Sequence, residues 1–184
     1  MNALYHILHK TAAMIDRIVD QIGRMIAYLV ILLVFVTCYV VLTRYGFNIG
    51  SIAVQETVTY MHATIFMLGA AYTLQRGGHV RVDVFYCRMN PRQQAWINAL
   101  GSLFLLLPSA ACLVYLSMDF VVQAWQIKEA SIEQEGLPFV YLLKTLIPLG
   151  GSLLFLQGIS IIIHNTLALV GIETIEPNHS EALL

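Results

Sequence analysis

From Thr57 to Gln75 the chain runs nineteen residues without a formal charge, and the next eight, Arg76 to Asp83, hold three charges, a histidine and two glycines. An uncharged helix of that length, at roughly 1.5 Å rise per residue, spans the hydrocarbon of a bilayer. Gly accepts the left-handed backbone that ends a helix, and a basic residue suits the negative end of its dipole. The stretch therefore reads as a membrane crossing that stops in a basic, glycine-hinged elbow at one water interface. Composition agrees: 58% of the 184 residues are hydrophobic and 11% charged, against about 25% charged in an average soluble domain. The expected class is an all-α integral membrane protein.

Four crossings are expected. Residues 1–24 read as an amphipathic interfacial helix. Leu4, Ile7, Leu8, Ile15, Ile18, Val19 and Ile22 fall at helical spacing, and Lys10, Asp16, Arg17, Asp20 and Gln21 fill the other faces. Such a helix either lies on lipid or docks on a partner subunit. Met25 to Thr43 is the first crossing, between Arg24 and Arg44. A short connection with turn-forming Gly46, Asn48 and Gly50 leads to the second, 57–75. The small residues of that second crossing, Gly69, Ala70 and Ala71, let neighbouring backbones approach in lipid, which predicts a central place in the bundle. Residues 76–90 form the basic elbow. Asn90-Pro91 reads as an N-cap and first helical residue, opening a long third helix over 91–125. Its two tryptophans, Trp96 and Trp125, lie roughly 44 Å apart at helical rise, the thickness of a bilayer with headgroups. Pro108 predicts a kink between them. Residues 126–144 connect to the fourth crossing, 145–172, and a tail follows over 173–184.

Basic residues set the orientation. Lys10, Arg17, Arg24, Arg76, Arg81, Arg88 and Arg92 lie on one side, and Arg44, Lys128 and Lys144 on the other. The excess of Lys and Arg marks the cytoplasmic side, so both termini and the elbow are expected inside and the acidic 126–144 connection outside. The single membrane domain carries no phosphate-binding loop, zinc-type cysteine cluster or nucleophile elbow, so no catalytic residue, cofactor or metal is expected, and the protein is not read as an enzyme. Nothing points to nucleic acid.

Two ionisable residues fall inside the crossings, His62 and His164. A shared haem is disfavoured because the depths differ by roughly 15–20 Å; each is expected to hydrogen-bond a neighbouring helix. Arg44 and Glu56 at the outer ends either reach headgroups or pair with each other or a partner. The elbow residues Arg76, His79 and Arg81 either enforce topology or engage acidic groups of a partner, with Asp83 locking the shape. A chain with so few polar groups in its crossings is a poor solute pathway and suits an accessory or scaffold subunit, or a homo-oligomer.

Several short runs, in order, resemble the DctQ-type small membrane subunit of tripartite ATP-independent periplasmic (TRAP) transporters. They are Arg44-Tyr45-Gly46-Phe47, Val54-Gln55-Glu56, Tyr60-Met61-His62, Leu68-Gly69-Ala70-Ala71 and, the most specific, Gly77-Gly78-His79-Val80-Arg81-Val82-Asp83. Gly136-Leu137-Pro138 leading to Tyr141, Lys144 and Pro148 is also similar. Where such proteins carry a tryptophan before Val54-Gln55-Glu56, this chain has Ile52-Ala53. The resemblance implies a periplasmic substrate-binding protein that captures an organic acid and a large multi-spanning subunit that moves it with sodium as an elevator. The small subunit, in the bacterial inner membrane, would extend the static part. It implies a partner interface at Arg44, Glu56, His62, Gly69, Arg76, Gly78, His79, Arg81 and Asp83, and docking of the binding protein on Glu129, Glu133 and Glu135. Two rivals stand beside it, a haem-bearing membrane anchor of an oxidoreductase and a homo-oligomeric small channel.

Overall fold

The computed structural model describes residues 2–78 and 89–170, with side chains from Tyr5 onward. All regular structure among them is helical: α1 (Asn2–Gly46), α2 (Ile52–Gln75), α3 (Pro91–Gln126) and α4 (Val140–Leu169). Helices α1, α3 and α4 are long and apolar enough to cross a membrane. Helix α2 falls outside that set, because its first half carries Gln55, Glu56, Thr57, Thr59, His62 and Thr64. Phe35, Tyr39, Leu42, Phe104, Leu105, Tyr115 and Leu116 are among many large apolar side chains turned outward. Apolar exposure on this scale belongs in lipid or against other membrane helices rather than in water. The protein is an all-α membrane protein.

The N-terminal segment differs from expectation. It is no separate interfacial helix but the first half of α1, one uninterrupted helix of 45 residues, about 67 Å long at ideal rise. Between the amphipathic and apolar parts the only weak helix former is Gly23, and one glycine costs a helix just about 1 kcal/mol. Packing compensates, since the ring of Tyr72 on α2 occupies the place a Gly23 side chain would take. The apolar stripe of this segment lies on protein: Ile15 and Val19 pack with Ala71, Tyr72, Leu153, Leu154 and Ile159 from α2 and α4.

Helix α4, not α2, is the centre of the bundle. It packs on α1, α2 and α3, whereas α2 packs on α1 and α4, and α3 leans on α4. The reason is its run of small residues. Gly150, Gly151, Gly158 and Ser160 are buried on α4. A Cβ on Gly150 would lie 2.8 Å from the Met67 carbonyl oxygen of α2, and one on Gly151 or Gly158 would press on Val114, Leu106 or Leu107 of α3.

Helix α2 ends as the sequence predicts. Gly77 takes φ 68°; its N–H donates to the Leu74 carbonyl at 3.1 Å and that of Gly78 to the Thr73 carbonyl at 2.8 Å, a Schellman turn. Helix α3 starts at Pro91 behind Asn90, whose N–H donates to Gln93 Oε1 at 3.2 Å. Inside α3, Ser102–Leu106 forms a π-helical turn directly before Pro108. A proline ring collides with the carbonyl four residues back, and a widened turn makes room for it. The connections are shorter than the charge pattern indicates. The first is only 47–51, turning at Asn48 (φ 55°), and α4 begins at Val140, so Lys144 is helical.

Candidate functional site

The side-chain hydrogen bonds that link different elements gather at the two ends of the bundle, while Thr64, Ser117 and Ser152 between them bond back to their own helices. At one end the carboxylate of Asp16, on α1, is gripped by three side chains of α4. Ser160 Oγ donates to Oδ1 at 2.7 Å, Gln157 Nε2 to Oδ1 at 3.1 Å, and His164 Nε2 lies 2.9 Å from Oδ2. The Gln75 amide, from α2, donates to the Asp16 main-chain carbonyl at 2.8 Å. Ser160 and Gln157 are fully buried (0% and 3% exposed), so the carboxylate is their means of avoiding the penalty of an unmade hydrogen bond. One turn along α1, Asp20 binds Arg76 at 2.5 Å and also pairs with Arg24. The Arg76 guanidinium lies 5.3 Å from the centre of the Tyr72 ring. Three helices are thus pinned together at the level of the elbow.

At the other end Glu56, in the first turns of α2, holds the α3–α4 connection. Its Oε2 accepts the Leu137 N–H at 2.6 Å, and Oε1 accepts the Ser131 hydroxyl. Ser131 N–H and the Leu137 carbonyl close the loop on itself at 3.1 Å. Gly136 sits against Ser131 and Glu56, where a side chain has no room. Beside it Lys144 pairs with Glu129 at 2.5 Å and lies 3.8 Å from the centre of the Phe120 ring. Trp125 Nε1 donates to Thr145 Oγ1 at 2.9 Å, with its ring edge-on to Tyr141.

The expected site residues distribute over this frame as follows. Glu56 pairs with the α3–α4 connection and not with Arg44, which is exposed. Arg76 and Gly78 form the elbow's first half, bound to α1 and capping α2. His79, Arg81 and Asp83 lie outside the described residues. His62 is exposed on α2, without a hydrogen-bond partner among the described residues, while His164 does bond a neighbouring helix, through Asp16. The two histidines lie roughly 20 Å apart along the bundle, counted from Gln75, which is level with Asp16; they share no axial site. Glu129 is taken by Lys144, and Glu133 and Glu135 are exposed on the loop next to fully exposed Ile132. Gly69 lines an apolar groove of about 520 Å³ between α1 and α2, with Gly23, Ile26, Ala27 and Phe66. No group of three or more His, Cys, Asp or Glu able to hold a metal occurs among the described residues.

Sequence reading missed the Asp16 cluster. Its signal was present as two stripes at helical spacing, Ala12–Asp16–Val19–Gly23 on α1 and Gln157–Ser160–His164 on α4. In sequence Asp16 is one polar residue of an amphipathic segment, and Gln157, Ser160 and His164 lie within the apolar stretch of the fourth crossing.

Comparison with individual curated proteins and with solved structures gives no match. The family model for the DctQ component of tripartite ATP-independent periplasmic transporters matches residues 33–167, from the C-terminal third of α1 through the last turns of α4. That is well over half the chain and takes in Glu56, the elbow, the α3–α4 connection and the Gln157–Ser160–His164 stripe. The chain belongs to the family of DctQ components, the small component of these transporters.

Proposed function

We propose that the protein is the static small subunit of a sodium-coupled, binding-protein-dependent importer of an organic acid in the bacterial inner membrane. It crosses four times, with both termini in the cytoplasm, and holds the large multi-spanning subunit in place without carrying substrate. Beyond the family, one observation carries this reading: the two polar layers sit at opposite ends of the bundle. Between them α4 is packed through Gly150 and Gly151 against its neighbours. A solute path needs polar midplane groups and broken helices.

The same layers support four crossings. Glu56 and Gln75, the polar anchors of α2, stand 19 residues apart, roughly 28 Å at helical rise, close to the hydrocarbon thickness of about 30 Å. Threonines 57, 64 and 73 within that span bond back to their own helix, which lowers the cost of placing α2 in lipid.

The groove beside Gly69 is the proposed seat for a helix of the large subunit. Arg44 and His62, exposed on the same helices, and the elbow residues Arg76, Gly78, His79, Arg81 and Asp83 complete the proposed interface. The nearest atom to a Cβ on Gly69 is Ile26 Cγ2, at 3.9 Å, ordinary contact. Gly69→Leu therefore leaves the chain folded while filling the groove. The expected result is loss of at least tenfold in the large subunit recovered with the tagged chain, at unchanged insertion. Undiminished recovery rejects the groove.

The outer loop is the proposed landing for the periplasmic binding protein, through Ile132, Glu133 and Glu135, with Glu129 spent on Lys144. Glu56→Ala removes the acceptor that shapes this loop. It is expected to make 127–139 cleavable by added protease and to lower uptake. Glu133→Gln with Glu135→Gln leaves the loop shaped and lowers uptake at low salt, where surface charge counts most. Uptake indifferent to both changes rejects the landing.

A further inference from the structure

We propose that the inner end of the α3–α4 pair is a binding site for one anionic phospholipid of the cytoplasmic leaflet; the orientation used here is that of the proposed function. A groove of about 480 Å³ opens between the two helices, lined by Arg92, Trp96, Ala99, Thr166, Leu169 and Val170. Its polarity is graded along the membrane normal. Thr166 lies 21 residues inward of Thr145, which is tied to the outer belt through Trp125, a rise of roughly 31 Å and thus one hydrocarbon thickness. Thr166 therefore marks the inner hydrocarbon boundary within the groove, Leu169 lies about 4.5 Å further toward water, and Ala99 lines the same groove. Arg92 stands seven residues before Ala99, about 10 Å further toward water, at headgroup depth.

The chemistry at that depth fits a phosphate ester. Arg92 is exposed and has no acidic partner among the described residues. A guanidinium recognises phosphate oxygens through paired N–H groups. One turn deeper Trp96 is 56% exposed, and its indole N–H has no acceptor among the described residues. Indoles at this level donate to the glycerol-ester region while the ring covers acyl chain. Below it only apolar atoms remain on offer, because the Thr166 hydroxyl is already donated to the Ile162 carbonyl at 2.6 Å. A cation, a free donor and an apolar trough in that order match the headgroup, ester and chain of a phospholipid. A cation with no acidic partner among the described residues favours a lipid of net negative charge.

The test is native mass spectrometry of the full chain in detergent, titrated with phosphatidylglycerol or phosphatidylcholine. One phosphatidylglycerol is expected to remain bound, about fivefold more tightly than phosphatidylcholine, the worth of one cation near an anionic headgroup. Arg92→Gln removes that preference. Val170→Trp, at a position 64% exposed on the groove rim, excludes both lipids without disturbing packing. Equal binding of the two lipids, or retention by both variants, overturns the site. So does loss of the lipid whenever the large subunit is present, which gives the groove to protein. Recovery of the large subunit with Arg92→Gln is read separately. If it persists while lipid binding fails to appear, the lipid site falls and the subunit reading stands.

Discussion

Asp16→Ala is expected to lower the stability of the purified chain by about 3 kcal/mol, seen as a drop on the order of 10 °C in its melting temperature in detergent. The substitution removes the acceptor of Ser160 and Gln157, which are shut away from solvent, and the partner of His164. A buried donor deprived of its acceptor costs about 1–3 kcal/mol, and the loss is larger where the acceptor was charged. Gln157 would then be unpaired at both atoms of its amide, because its Oε1 is already without a donor among the described residues. Asp20→Ala, one turn away, supplies the comparison. Its partners Arg24 and Arg76 are 74% and 61% exposed, and exposed ion pairs contribute about 0–1 kcal/mol. Equal effects of the two substitutions would show that the Asp16 cluster holds nothing together.

Gly150→Val is the second large effect, with an expected loss of about 3 kcal/mol and a chain that no longer runs as a single species on size exclusion. The reason lies in what the new Cβ would meet. At Gly150 it meets the Met67 carbonyl oxygen at 2.8 Å and carbonyl carbon at 3.2 Å, main-chain atoms that can retreat only if α2 moves away from α4. At Gly158 it meets the tips of Leu106 and Leu107 at 3.0 Å, which can rotate. Gly158→Ala is accordingly expected to cost about 1 kcal/mol. Gly101→Ala, with nothing within 4 Å, should be neutral or stabilising by about 0.5–1 kcal/mol, since alanine is the better helix former. A Gly150 variant as stable as the Gly101 one would contradict the close α2–α4 packing.

What could be read from the chain follows the range of the forces. Local signals are legible: Gly77 and Gly78 at the elbow, Asn90-Pro91 opening α3, and the apolar stretches within α3 and α4 each act within a turn or two of helix. The DctQ runs were legible because their order along the chain survives without knowledge of the packing. Pairing between helices was not. The small residues of α2 and of α4 look alike in sequence, and only the assembled bundle shows Gly150, Gly151 and Gly158 meeting two different neighbours. Asp16 illustrates the same limit. On α1 it is one charge among Lys10, Arg17 and Asp20, and its burial depends on a stripe of α4 more than 140 residues away. Glu56 lies in the first turns of α2, and its partners Ser131 and Leu137 belong to a loop that composition marks only as exposed. The continuity of α1 is hidden in sequence because a change from amphipathic to apolar pattern marks a change of surroundings, not a break in the backbone.

The central claim is that this chain works as one component of a membrane complex and not alone. The most direct measurement is affinity purification of the tagged chain from its native membrane in mild detergent, with the co-purifying proteins identified and the visible spectrum recorded on the same sample. The account predicts one large multi-spanning membrane protein in fixed ratio to the chain, in a colourless preparation. A chain that purifies alone, or one that carries a haem absorption band in proportion to its amount, would contradict it.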